Sequence, residues 1–129
     1  MANQFVVELK NEPGGLATLA EALAEGGIDL RAIGGGGIGN SGHIIMTTAD
    51  DDAARAILEA GGYTFIEGES ILTEVDDRPG GMARLSRALA DAGVNIYGHL
   101  FLGRWGDRAM FAFVVDDPEK ARPILERKA

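Results

Sequence analysis

Cysteine is absent from the 129 residues. Its absence excludes disulfides, thiol nucleophiles and cysteine-ligated metal. Positive charge is scarce: 12 Lys and Arg face 20 Asp and Glu, a net charge of −8. So acidic a chain repels phosphate backbones and anionic lipid, so neither nucleic acid nor a membrane surface is an expected partner. No apolar run approaches the roughly 18 residues that span a bilayer. The first residues show no basic stretch leading into a long apolar one, so no signal peptide is expected. A cytoplasmic protein fits these features. What remains is ordinary globular composition, 46% hydrophobic and 25% charged. At roughly 100–200 residues per domain, the length suits one domain or two very small ones. Glycine is abundant, at 19 residues, and its positions explain why.

The chain repeats itself. Displaced by 66 positions, Glu8 meets Glu74, and Pro13-Gly14-Gly15 falls on Pro79-Gly80-Gly81. Ala17, Leu19, Ala22, Leu23, Ala24 and Gly27 fall on Ala83, Leu85, Ala88, Leu89, Ala90 and Gly93. Composition alone explains the Ala and Leu matches. It does not explain Pro-Gly-Gly and a later Gly-hydrophobic-Asx-hydrophobic coinciding in one register. The register continues from His43–Thr48 onto Ala109–Val114, and from Asp50-Asp51 onto Asp116-Asp117. One extra residue then separates Ala54 from Ala121. The expected units are residues 1–67 and 68–129.

Within the first unit, Phe5–Leu9 reads as a strand stopped by Asn-Glu-Pro-Gly-Gly. Leu16, Leu19, Ala20 and Leu23 form one apolar helix face, ended by Gly26-Gly27. Ile28–Ile33 alternates and predicts a second strand, and Gly34–Gly42 a glycine-rich connection. His43–Thr48 predicts a third strand. Asp50-Asp51-Asp52 opens a second helix, where carboxylates suit the unpaired N–H groups of a first turn. Tyr63–Ile66 predicts a fourth strand. The second unit repeats the order with strands at Ile71–Val75, Asn95–Leu102 and Ala109–Val115, and helices over Gly80–Ala92 and from Pro118. Arg104 and Trp105 fall in its strand connection. Pro123 predicts a kink or two short turns in the last helix. No fourth strand is visible in this unit, which leaves a sheet edge for something to cover, a second chain being one candidate.

The fold class expected is α+β: two tandem ferredoxin-like βαββαβ units, sheets containing antiparallel pairs, helices on one face, the second unit lacking its last strand. The stretch from Asn11 to Leu30 and its echo from Asp76 to Ile96 resemble the ACT domain, over nearly the whole chain and twice. The Asn-Glu-Pro-Gly stretch is also similar to the opening of the regulatory subunit of acetolactate synthase. The ACT resemblance implies a non-catalytic module that senses small molecules, typically amino acids, where two units pair.

The residues themselves carry a physical case for such a site. Two glycines at a helix N-terminus leave backbone N–H groups unshielded, which suits a carboxylate. Asn11 or Asp77 beside them would accept from an ammonium. Candidate contacts are Asn11, Glu12, Pro13, Gly14, Gly15 and Leu16 in the first unit. Their counterparts are Asp77, Arg78, Pro79, Gly80, Gly81 and Met82. Asp29, Leu30, Asn95 and Ile96 would join them if units pair edge to edge. Glu12 and Arg78 stand at equivalent positions with opposite charge, so the two loops need not bind alike. The same Pro-Gly-Gly also serves simply to start a helix tightly. Gly34–Gly39 contains a formal G-x-G-x-x-G, but it leads toward a strand rather than a helix, against a dinucleotide site. The aspartate clusters lack EF-hand spacing, and His43 and His99 have no metal or acid–base partner in view, so no metal, cofactor or catalytic residue is expected. An acylphosphatase-like enzyme would need an arginine cradle where the loops offer Arg78 alone. The expected partners are an amino acid, a second copy in a homodimer and, under the alternative of a pure interaction module, a separate enzyme.

Overall fold

The structure is a computed structural model that describes residues 3–126. The chain divides into two compact units, Met1–Gly68 and Glu69–Ala129. The first contains β1 (Asn3–Lys10), α1 (Gly15–Glu25), β2 (Leu30–Ile38), β3 (Ser41–Thr48), α2 (Asp51–Ala60) and β4 (Phe65–Glu69). Its sheet runs β2-β3-β1-β4, the ferredoxin-like order. Alternation sends Phe5, Val7, Ile44 and Met46 to one face, where Leu19 and Leu23 of α1 and Ala54 and Leu58 of α2 cover them. The Asp50 side chain caps α2 by accepting from the Ala53 N–H at 3.0 Å. That is the structural role of the aspartate run.

The second unit contains β5 (Ile71–Asp76), α3 (Gly81–Asp91), β6 (Ile96–Trp105), β7 (Arg108–Val115) and α4 (Pro118–Leu125). Its sheet is three-stranded, in the order β5-β7-β6. Ile71, Phe113 and Val115 meet Leu89 of α3 and Ala121 and Leu125 of α4. Among the described residues no fourth strand lies beside β5. The Thr73 hydroxyl donates to the Leu125 carbonyl, tying the end of α4 to β5. No helix among the described residues is long and apolar enough to cross a membrane.

Four expectations are corrected. The glycine run is strand, not connection: β2 continues to Ile38, and only Gly39-Asn40 turns. Glycine carries little propensity of its own, and here pairing with β3 holds it extended. Likewise Arg104 and Trp105 belong to β6, and the turn is Gly106-Asp107. Gly39 and Gly106 take φ of 59° and 61° at equivalent turn positions. The extra residue of the second unit lies earlier than the sequence register suggests. Both units bulge early in the strand, between Leu30 and Ala32 and between Ile96 and Gly98. Only β6 bulges again, between Phe101 and Gly103, where Leu102 is the surplus residue. From there on Asp50 corresponds to Asp117, each the N-cap of its helix. Finally, α4 runs as one helix through Pro123, which forgoes a single hydrogen bond to Glu119.

One ion-pair cluster fastens α2 to β4. Arg55 donates to both Glu67 carboxylate oxygens, at 2.6 and 2.7 Å, and to Asp52 at 2.9 Å. Asn3 Nδ2 donates to Glu67 at 2.7 Å. The hydrogen-bonded Arg55 guanidinium holds the Glu67 carboxyl below its ordinary value of 4.5, against the opposing effect of burial, and Asn3 adds to the lowering. A depressed folded value means stability that is present above the unfolded value and lost as pH falls through the folded one. Glu67→Gln is therefore expected to lower the melting temperature by a few degrees at pH 7. The two melting curves should converge below the usual carboxylate range. A gap that persists there would assign the loss to packing instead.

Candidate functional site

The turn between β1 and α1 is built on backbone. Gly14 caps the helix with φ 89°, a left-handed conformation, and no side chain caps the helix there. Gly15 lies so close to β1 that a Cβ would stand 2.9 Å from the Lys10 carbonyl oxygen. The β2–β3 hairpin is tied to this loop. The Asn11 N–H donates to the Asn40 carbonyl at 3.1 Å, and Asn11 Nδ2 to the Gly39 carbonyl at 2.9 Å.

Between the loop, the first turn of α1 and the end of the β2–β3 hairpin lies a recess of about 450 Å³. Its floor is the backbone of Gly35, Gly37 and Gly42, and its walls are Leu9, Leu16, Ile33 and Ile44. Leu16 and Ile33 are 48% and 47% exposed, apolar surface with nothing over it. Lys10, Asn11, Glu12 and His43 complete the rim. Gly35 is obligatory, because a Cβ would overlap the His43 carbonyl oxygen. At Gly37 a Cβ would stand 2.5 Å from Asn11 Oδ1, so the Asn11 amide rests directly on the strand. A second, more polar cavity of about 680 Å³ opens between Pro13-Gly14 and the Gly61-Gly62 turn, and shares Lys10 and Glu12 with the first.

The second unit repeats the frame and changes the contents. Gly80 caps α3 with φ 91°, and Gly81 is buried beneath the Asp76 carbonyl. The Asp77 N–H donates to the Asp107 carbonyl at 2.8 Å, as Asn11 does to Asn40. Here, however, arginines occupy the carboxylates. Arg104 bonds Asp77 at 2.8 Å, and Asp76 takes Arg78 at 3.2 Å, Arg84 at 3.6 Å and Arg108. In register with Ile33 and Gly35 stand His99 and Phe101, each opposite the β7 partner that corresponds to theirs. The Phe101 ring packs edge-on against Phe111 at 5.5 Å, with the Arg104 guanidinium 4.7 Å above it.

Asn11, Glu12 and Leu16 border the recess, and Pro13, Gly14 and Gly15 the larger cavity. Asp77, Arg78, Pro79, Gly80, Gly81 and Met82 form the corresponding turn of the second unit. Asp29 and Leu30 lie at the far end of β2 and line neither cavity; Asp29 pairs with Arg31 at 3.4 Å. The Asn95 N–H is held by Asp116 at 2.9 Å, and Ile96 packs on the core. Among the recess residues absent from the sequence expectation are Leu9, Lys10, Ile33, Gly35, Gly37, Gly42, His43 and Ile44. The signal that would have found them is the repeat itself, which sets Gly35 against Phe101.

No protein-family model matches the chain, and no curated protein does. Solved structures resemble it in fold. A protein of Bacteroides thetaiotaomicron superposes with a TM-score of 0.71 at 22% identity, over 97% of this chain and 86% of that one. The regulatory subunit of aspartate kinase from Thermus thermophilus, in its ligand-free form, gives 0.62 at 23% identity, over 97% and 89%. The regulatory subunit of aspartate kinase from Thermus flavus gives 0.63 at 22%, over 97% and 90%.

Proposed function

We propose that this chain is a non-catalytic regulatory module that binds a small molecule, an amino acid, at the first unit. The observation that carries the reading is the apolar recess of about 450 Å³ beside a side-chain-free helix start. A cavity of that size, mostly apolar with a few converging polar groups, is the usual form of a small-ligand site. The Gly15 N–H donates to the Glu12 carbonyl at 3.2 Å, so it is the Gly14 N–H and the first turn of α1, with Lys10 near, that suit a carboxylate, and Asn11 and Glu12 suit an ammonium. The groups that converge here recognise charge and apolar surface, so binding rather than turnover is the chemistry proposed.

The likeness to regulatory subunits of a kinase of amino-acid substrate fits a role exerted on a separate enzyme. A homodimer paired by strand edges would bring Asp29 and Leu30 of one copy, or Asn95 and Ile96, toward a loop of the other. The edge of β5, unpaired among the described residues, favours a second reading, a module that docks on its partner without ligand.

A thermal-shift screen against the twenty amino acids tests the proposal. A ligand at 100 times its Kd that binds only the folded state adds about 2.7 kcal/mol. A selective upward shift is expected, lost in Gly14→Val. No shift with any of the twenty would overturn amino-acid binding and leave the docking reading, which sedimentation with candidate enzymes would then address.

A further inference from the structure

We infer that the second unit is occupied by its own side chains, and that these display the chemistry the open recess of the first unit receives: an apolar, best an aromatic, side chain carrying an ammonium. The inference rests on the amino-acid reading above and sharpens it. The two units provide a matched pair, one site open and one filled. Where Gly35 leaves bare backbone, Phe101 lays its ring against Phe111, the counterpart of Ile44. At Gly37, where the Asn11 amide rests on the strand, the second unit has Arg104, which extends a cation to Asp77, the counterpart of Asn11. The bulge at Leu102 makes both possible. Residues three apart on a regular strand point to opposite faces, and the bulge absorbs the surplus residue and keeps Arg104 on the face of Phe101. The guanidinium then lies over the ring at 4.7 Å.

Transferred to the first unit, the same arrangement specifies its occupant. An apolar side chain rests over Gly35 against Ile44, between Leu16 and Ile33. A cationic nitrogen sits beside the Asn11 amide that covers Gly37 and donates to it. Asn11 Nδ2 already donates to Gly39, so its oxygen is the atom that faces the newcomer. An α-amino acid with an aliphatic or aromatic side chain supplies both groups in one molecule.

The experiment uses the full chain, labelled with nitrogen-15, titrated with L-phenylalanine and L-leucine and with their deaminated analogues 3-phenylpropanoate and isocaproate. The expected result is one equivalent bound per chain, with amide shifts gathered at residues 33–37, and at least tenfold weaker binding without the amino group. Ile33→Trp, which fills the recess from its rim, should abolish binding, and His99→Trp, its counterpart in the second unit, should leave it intact. Phe101→Gly with Arg104→Gly should create a second equivalent; the Ile33→Trp and His99→Trp pair decides the matter whether or not that double variant folds. Two equivalents in the unmodified protein, loss in His99→Trp, or a preference for polar amino acids would overturn the inference while leaving amino-acid binding in place. No binding by any amino acid would overturn both.

Discussion

Gly81→Ala is expected to destabilise the protein by about 3 kcal/mol, the upper range for overpacking a filled site. The added methyl would overlap the Asp76 carbonyl oxygen and press on Val75, and neither atom belongs to a flexible side chain. Gly93→Ala is the matched control. Gly93 has φ 76° and open space around it, so its substitution costs only the left-handed penalty, about 1–2 kcal/mol. Urea unfolding of the two variants separates steric overlap from backbone strain. Equal losses would mean that α3 starts farther from β5 than described.

Phe113→Ala is expected to cost about 3–5 kcal/mol, the range for emptying a buried aromatic position. Phe113 is 1% exposed, touches Phe111 and His99 at ring distances of 6.2 and 6.0 Å, and anchors the core under α3 and α4. Domains are stable by only about 5–15 kcal/mol, so this one truncation removes a large fraction of the margin. The denaturation midpoint measures it. A loss under about 1 kcal/mol would place Phe113 outside any packed core.

Much of the fold was legible because punctuation and period agree. Pro-Gly-Gly stops β1 and starts α1, and Leu19 and Leu23 fall on the buried face that their spacing predicts. Asp50 and Asp117 cap helices as acidic residues at a first turn should. The glycine run misled for a physical reason. Glycine states no preference, so the conformation of residues 34–37 comes from β3 alongside, which local sequence does not reveal. The bulge at Leu102 was hidden similarly: an insertion leaves a gap in a register without saying where the backbone absorbs it. The loop half of the candidate site was legible as motif. The recess half depends on Phe101 and Gly35 sharing a strand position, and so on register rather than residue type.

The surplus residue in β6 also has a consequence for how the two copies came to differ. Ordinary substitution changes what a position carries but not which way it faces. A single inserted codon would do the second on a regular strand, and at Leu102 a bulge takes up the extra residue so that everything beyond it keeps its face. Without the bulge, Phe101 and Arg104 would sit back to back. The divergence of the duplicated halves therefore includes one event that point mutation cannot retrace. Deleting that codon would close the bulge and leave both side chains on one face, two positions apart as Gly35 and Gly37 are.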